Sequence, residues 1–424
     1  MKKLIGLVAA LCINPLAQAE KIAIVGGTIH TMSDAGTLTN QALLMDGNKI
    51  IGFVGADAVP AEYSRFDATG KVVTPGLIVS NSQLGLVEVG FSAGIVDSSA
   101  DHSEFSPLGA AADVSYAINP ASSLMGITRM EGVTLAGTSM NYTHAMFQGQ
   151  GAVISLSGAE QPVVKAAAFM PLNVSGRAVD GLGGSRALLW PQLITALDEA
   201  MARNGKLLGL DEEYHGALTR ADLNSLIQVV SGKVRLLVEV QRAADIRQVL
   251  SLIKRYPDLQ LALSGASEAW MVAGQIAEAG VPVVINPESN LPYDFDQLAA
   301  TLANAGRLAD AGVSVCIGMN THNARLITQY AGNAVANGLS WQDGLAALTI
   351  NPARMLGVDN QYGSLESGKQ ADVVIWSGDP LEVMEVAEQV FIGGEAVDMQ
   401  SRQTKLRDRY LHRDPAKPAP YTRP

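Results

Sequence analysis

Short apolar runs broken by turn residues follow residue 20. Lys21 to Val25 ends at Gly26-Gly27, and Ala42 to Met45 runs through Asp46-Gly47-Asn48-Lys49 into Ile50 to Val54. Asp-Gly between two apolar runs is hairpin chemistry, because a tight turn needs backbone angles that Gly and Asn accept at little cost. With Lys71-Val72-Val73, residues 21–75 predict a small β unit. The period changes after Pro75. Apolar strands at Leu236 to Val240, Leu259 to Leu263, Val281 to Ile285 and Val313 to Ile317 alternate with helical stretches at Arg242 to Arg255, Ser267 to Ala279, Phe295 to Ala311 and Asn323 to Ala336. Strands that are apolar on both faces, joined by helices, predict a parallel sheet covered on both sides. Such units repeated over about 280 residues fit an α/β fold of the (β/α)8 barrel type.

A further helix is predicted over 340–357, opened by a capping box of Ser340 and Asp343. Strands return at Ala371 to Trp376 and Val390 to Ile392, followed by a Gly393-Gly394 turn, and the two terminal β segments can pack as one small domain. The predicted organisation is a leader over 1–19, a composite β domain from 20–75 and 358–400, a barrel over 76–357, and a basic, proline-rich tail over 401–424. The tail reads as a solvated arm, or as a docking segment for a partner.

The leader has a positive start at Lys2 and Lys3, an apolar run from Leu4 to Ile13, and Ala17-Gln18-Ala19 as a small-x-small cleavage site. That is signal-peptide patterning. Ten apolar residues fall short of the about 20 that cross a bilayer, so no membrane anchor is expected. Cleavage after Ala19 would leave a periplasmic or secreted chain, and losing the two lysines takes the formal charge from −11 to −13. An acidic chain is a poor partner for nucleic acid, which needs a basic face. Cleavage also leaves Cys316 as the sole cysteine, which rules out an internal disulfide. Its apolar run, Val313-Ser314-Val315-Cys316-Ile317, marks it as a buried small hydrophobe.

Three motifs point to a family. Val73-Thr74-Pro75-Gly76-Leu77-Ile78 resembles the strand that opens the amidohydrolase-superfamily barrel. Gly363-Ser364-Leu365-Glu366-Ser367-Gly368-Lys369-Gln370-Ala371-Asp372-Val373-Val374 resembles its C-terminal signature. Gly149-Gln150-Gly151-Ala152-Val153-Ile154 is similar to a segment of the imidazolonepropionase-like, often secreted branch. The resemblance spans nearly the whole mature chain in the right order. It implies a distorted (β/α)8 TIM-type barrel with a small composite β-sandwich from both termini, and hydrolysis of C–N bonds in amides or cyclic amides by a metal-bound hydroxide. Zn²⁺ or another divalent metal would be the family norm, with imidazole and carboxylate ligands lowering the pKa of bound water.

The resemblance also implies where those ligands fall: two histidines one residue apart ending strand 1, single histidines ending strands 5 and 6, and an aspartate ending strand 8. This chain carries Asn81 and Gln83 after strand 1, Gln241 after Leu236 to Val240, Ser264 after Leu259 to Leu263, and Asn320 after strand 8. A carboxamide offers one neutral oxygen, and its nitrogen has no free lone pair. Four carboxamides and the Ser264 hydroxyl in these five places remove both the ligands of a dication and the base, so no metal or other cofactor and no catalytic residue are expected. Asn81, Gln83, Gln241, Ser264, Asn286 and Asn320 nonetheless stay polar at C-terminal strand ends, the barrel face where sites lie. With His322 they outline a neutral pocket for a small amide- or peptide-like ligand, or else a cavity filled by mutually bonded amides.

The six histidines show no His-x-His or His-x3-His spacing, and His102, His144 and His322 form the only rebuilt metal cluster the chain offers. Lys165 and Lys206 match a carboxylated bridging lysine by rough position only. Gly181-Leu182-Gly183-Gly184-Ser185 reads as a flexible loop, and no Gly-x-Ser-x-Gly elbow is present. Three functions remain in view: a barrel that has lost its metal chemistry and binds a ligand or supports an active homologous subunit, a working hydrolase with a rebuilt site, and an interaction scaffold.

Overall fold

The computed structural model describes residues 20–88, 96–100, 103–143, 145–318 and 321–411. Strands from residues 28–75 and 373–396 meet in one six-stranded sheet. Val373–Trp376 lies antiparallel to Val72–Pro75, with Val373 opposite Pro75 and Trp376 opposite Val72. The Trp376 indole N–H donates to Thr74 Oγ1 at 2.9 Å, so the buried ring keeps its polar atom satisfied. A four-stranded sheet faces this one, with Gln41–Asp46 and Lys49–Gly55 joined through Gly47 at φ +53°. Ile24, Leu43, Met45, Val73, Ile375 and Phe391 fill the space between the sheets.

The second body is a nearly closed barrel of eight strands: β1 Leu77–Ser82, β2 Val133–Thr138, β3 Gly151–Ser155, β4 Val163–Asn173, β5 Arg235–Val240, β6 Leu261–Gly265, β7 Val283–Ile285 and β8 Val315–Ile317. The distorted barrel with an added sheet domain expected from the sequence is present, with one departure from a uniformly parallel sheet. β3 runs antiparallel to both β2 and β4. Residues 156–162 suffice to link β3 to β4, because an antiparallel pair needs only a turn where a parallel pair needs a long crossover.

Among the described residues no ladder joins β8 to β1. Ser80 Oγ bridges the seam to the Ile317 carbonyl at 3.0 Å, and Gly318 lets the strands approach: a Cβ there would lie 2.8 Å from Val284 and 3.2 Å from Ser80. At the other end the seam is filled by the chain between helices Trp341–Ala346 and Ile350–Leu356. A single helix was expected over 340–357. Pro352 lacks the N–H that would bond the Leu348 carbonyl four residues back, and that carbonyl accepts instead from Ile78 N of β1 at 2.7 Å. Ser340 does cap the first of the two helices, accepting from Asp343 N at 3.0 Å.

Inward side chains from Ile78, Leu135, Phe169, Leu237, Val284 and Cys316 pack the barrel interior. Cys316 is fully buried, and desolvation pushes its thiol up to about 12, so it is no nucleophile. The stretches 267–279 and 295–311 are less helical than their patterns imply. The first is a 3-10 turn, Ala269–Val272, running into Ala273–Glu278, and the second splits into Phe295–Gln297 and Asn304–Asp310. The start of the tail is a helix, Arg402–Leu411, with no buried residue, where an arm was expected. Its prolines all lie beyond residue 411. Among the described residues no helix is long and apolar enough to cross a membrane. The leader lies outside the described residues.

Candidate functional site

At the C-terminal end of the strands a cavity of about 160 Å³ opens, with Asn81, Gln148, Glu239, Ser264 and Asn286 as its polar lining and Pro171, Leu237 and Val284 as apolar wall. Asn81 is brought there by a bulge. Between Val79 and Ser82, β1 holds one residue more than β2 holds between Ala136 and Thr138, which re-aims the strand end. Asn81 Oδ1 accepts from Ser139 Oγ at 2.8 Å. Ser264 sits within β6, paired across the sheet with Glu239 of β5, and faces the cavity. Asn286, just past β7, accepts on Oδ1 from Glu288 N at 3.0 Å.

Gln83, Gln241 and His322 do not line the cavity. Gln83 is buried beside it, its N–H donating to the Thr321 carbonyl at 3.2 Å. Gln241 turns away. Its Oε1 accepts from Ser267 N at 3.2 Å and Ser267 Oγ at 2.8 Å, and its amide packs over Gly265. Gln241 therefore braces the β5–β6 connection.

The β5 residue at the cavity is Glu239. Leu236, Val238 and Val240 pack outward among the helices, while Leu237 joins the interior core. Strand alternation then sends Glu239 inward. The Asn173 amide, at the end of β4, donates to Glu239 Oε2 at 3.1 Å. The available signal was a lone charge inside the apolar run Leu236-Leu237-Val238-Glu239-Val240. Gln148, from the loop before β3, was also missed; its Nε2 donates to the Asn141 carbonyl at 3.4 Å.

Asn320, His102 and His144 lie outside the described residues. His322 is partly buried and follows Thr321, whose carbonyl receives Gln83 N, but it does not line the cavity. Lys165 stands near the start of β4, at the opposite end of the barrel from the cavity. Its Nζ donates to the Leu356 carbonyl at 2.9 Å, capping the end of helix Ile350–Leu356, and burial pulls its pKa down, with nearby Arg235 adding to the effect. Lys206 is exposed in a turn after helix Arg186–Met201. Gly183 and Gly184, at φ +93° and +74°, form the turn ahead of Ser185, which caps that helix by accepting from Ala187 N. The glycine-rich stretch is a loop.

Behind the rim an ion-pair network ties together the segments after β4, β5 and β7. Arg186 reaches Asp245 at 2.9 Å and Asp296 at 2.5 Å, Arg242 holds Asp245 at 2.8 Å, and Gly176 N donates to Asp296 Oδ2 at 2.8 Å. Both carboxylates are nearly buried, and this pairing compensates their desolvation.

The donors described at the cavity do not by themselves make a cage for a divalent metal. Glu239 is the one anionic group among the described lining residues. The oxygens of Asn81 and Asn286 are already accepting hydrogen bonds, and among the described residues no three of His, Cys, Asp and Glu gather as a metal would need.

Residues 258–397 match the amidohydrolase family. Over 109 residues the chain is 31% identical to the amidohydrolase tasK of Hapsidospora irregularis, an alignment covering 25% of this chain and 11% of that protein. Over another 109-residue alignment it is 36% identical to the imidazolonepropionase of Symbiobacterium thermophilum, covering 24% of each. The chain thus matches only a quarter or less of those relatives' own length. A solved amidohydrolase from Thermotoga maritima superposes with a TM-score of 0.77 at 22% identity, covering 89% of this chain and all of that one. That likeness concerns the fold. The matched segment runs through β6, β7, β8 and the C-terminal strands of the small sheet; that part of the chain matches the amidohydrolase family and is similar to the imidazolonepropionases.

Proposed function

We propose that this chain is an exported member of the superfamily that binds a small amide- or peptide-like ligand at its barrel mouth and does not carry out metal-dependent C–N hydrolysis. One observation carries the proposal: the described lining offers carboxamides, a hydroxyl and a single carboxylate. Neutral amides cannot balance a dication. They can match an amide ligand, donor to acceptor, against an apolar wall that excludes water. Glu239 alone does not supply hydrolysis, because an amide carbonyl needs an electrophile as well as a base. Export rests on the leader, with cleavage after Ala19 and a periplasmic or secreted product. A partner role beside an intact homologue, or self-assembly, fits a fold kept after its metal ligands were replaced.

The test is elemental analysis of protein purified from its native compartment, together with assays on cyclic amides and dipeptides. Less than a tenth of an equivalent of transition metal, and no turnover with added Zn²⁺, is the expected result. A stoichiometric metal with metal-dependent turnover would establish a rebuilt site and end the proposal.

A further inference from the structure

We propose that two copies of this chain associate by exchanging C-terminal helices, each helix Arg402–Leu411 seating on the turn 379–386 of the other copy. The inference stands apart from what the cavity binds, and it gives the self-assembly named above its surfaces. The turn joins strands Val373–Trp376 and Ala387–Ile392 of the six-stranded sheet. It is braced from inside. Leu381 is buried, and its carbonyl lies so near Gly332 that a Cβ there would meet it at 2.3 Å. Asp379 accepts from the Trp341 indole N–H and from Leu381 N, both at 2.9 Å, and Glu385 accepts from Ser377 Oγ at 2.5 Å. The same turn nonetheless presents Val383, Met384 and Val386 to solvent, 70%, 86% and 55% exposed. Three neighbouring apolar side chains on a braced turn make a preformed contact surface, because little ordering of the backbone is left for binding to accomplish.

The helix is the complementary case. It has ten residues and buries none of them, and a helix that short gains little stability in water by itself. Leu406 and Tyr410, four residues apart, share one face, and Tyr410 and Leu411 are 58% and 70% exposed. Charge selects the pairing. The turn and the start of the next strand carry Asp379, Glu382, Glu385 and Glu388, with Lys71 paired to Glu388. The helix carries Arg402, Lys405, Arg407 and Arg409 against Asp408, which pairs with Arg407. A basic helix with an apolar stripe suits an acidic turn with an apolar crown, whereas turn against turn or helix against helix would set like charges together. Within one chain both surfaces stay exposed. That leaves the helix of a second copy as the occupant, and a twofold exchange covers both pairs of surfaces at once.

Sedimentation velocity on the mature full-length protein tests this. A dimer is expected at ~100 μM protein, with a dissociation constant that rises about tenfold or more between ~50 and ~500 mM NaCl. Met384→Asp and Tyr410→Asp change exposed side chains, so both variants should fold, and circular dichroism checks that they do. Each should weaken the dimer about tenfold or more. Mixed in equal amounts, the two variants should associate more tightly than either alone, because the Met384→Asp copy keeps a working helix and the Tyr410→Asp copy keeps a working turn. A protein that stays monomeric at ~100 μM in low salt, a dimer indifferent to either variant, or a mixture no tighter than its parts would overturn the proposal. None of these outcomes bears on ligand binding at the barrel mouth, which is tested separately.

Discussion

Asp372 allows a sharp test of how the barrel and the terminal sheet are joined. It precedes strand Val373–Trp376, its carbonyl receives Gly76 N at the entrance to β1, and its Oδ1 accepts from Gly393 N at 2.8 Å. Oδ2 is buried without a hydrogen bond, as is Thr134 Oγ1 nearby. Burial pushes the carboxyl up to about 6, against the opposing pull of the Gly393 amide. From an ordinary value of 3.8, that rise corresponds to roughly 3 kcal/mol against the ionised form. The folded state holds the proton more tightly than the unfolded chain does. The contribution of Asp372 is therefore fully present below pH 3.8 and is lost as pH rises to about 6, after which it stays constant. Asp372→Asn keeps the acceptor for Gly393 N and removes the charge. Thermal unfolding followed by circular dichroism should show the two proteins alike near pH 4. Near pH 8 the variant should melt higher by about 3–6 °C, taking on the order of 1–2 °C per kcal/mol for a chain this long. A difference independent of pH, or a variant less stable at pH 8, would refute the account of Asp372 as a neutral buried acid.

Gly318→Ala should destabilise by about 1–3 kcal/mol through overpacking, because the new methyl meets Val284 and Ser80 at the unladdered seam; a denaturant titration measures it. Arg186→Ala leaves Arg242 as the cation paired with Asp245 and Asp296 among the described residues, and a loss of about 2–4 kcal/mol is expected, with proteolysis localised to the rim segments. Gln241→His combined with Asn320→Asp should bind no Zn²⁺ in calorimetry and restore no hydrolysis, because residue 241 points at Ser267. A gain of activity from those two changes would show that the metal site needs far less repair than its donor set implies.

The sequence revealed the fold through periodicity. The hairpin at Asp46-Gly47-Asn48-Lys49, the last four barrel strands and the capping box at Ser340 all follow from local chemistry. Non-local facts were hidden. The antiparallel run of β3 depends on which strand lies beside it, and the interruption near Thr349 depends on Ile78 claiming a carbonyl that Pro352 cannot use. Of the predicted positions, Asn81, Ser264 and Asn286 reach the cavity, Gln83, Gln241 and His322 do not, and Gln148 and Glu239 line it unannounced. Asn81 and Ser264 stand where the motifs placed them on the strand ends, but Gln241 was chosen because it follows the apolar run. A strand delivers a side chain to the barrel interior by parity, and β5 continues inward through Leu237 to Glu239. That single change of residue puts one carboxylate among the amides of the pocket. It leaves the argument against a dication in place, since one carboxylate among amides remains a poor cage for a metal.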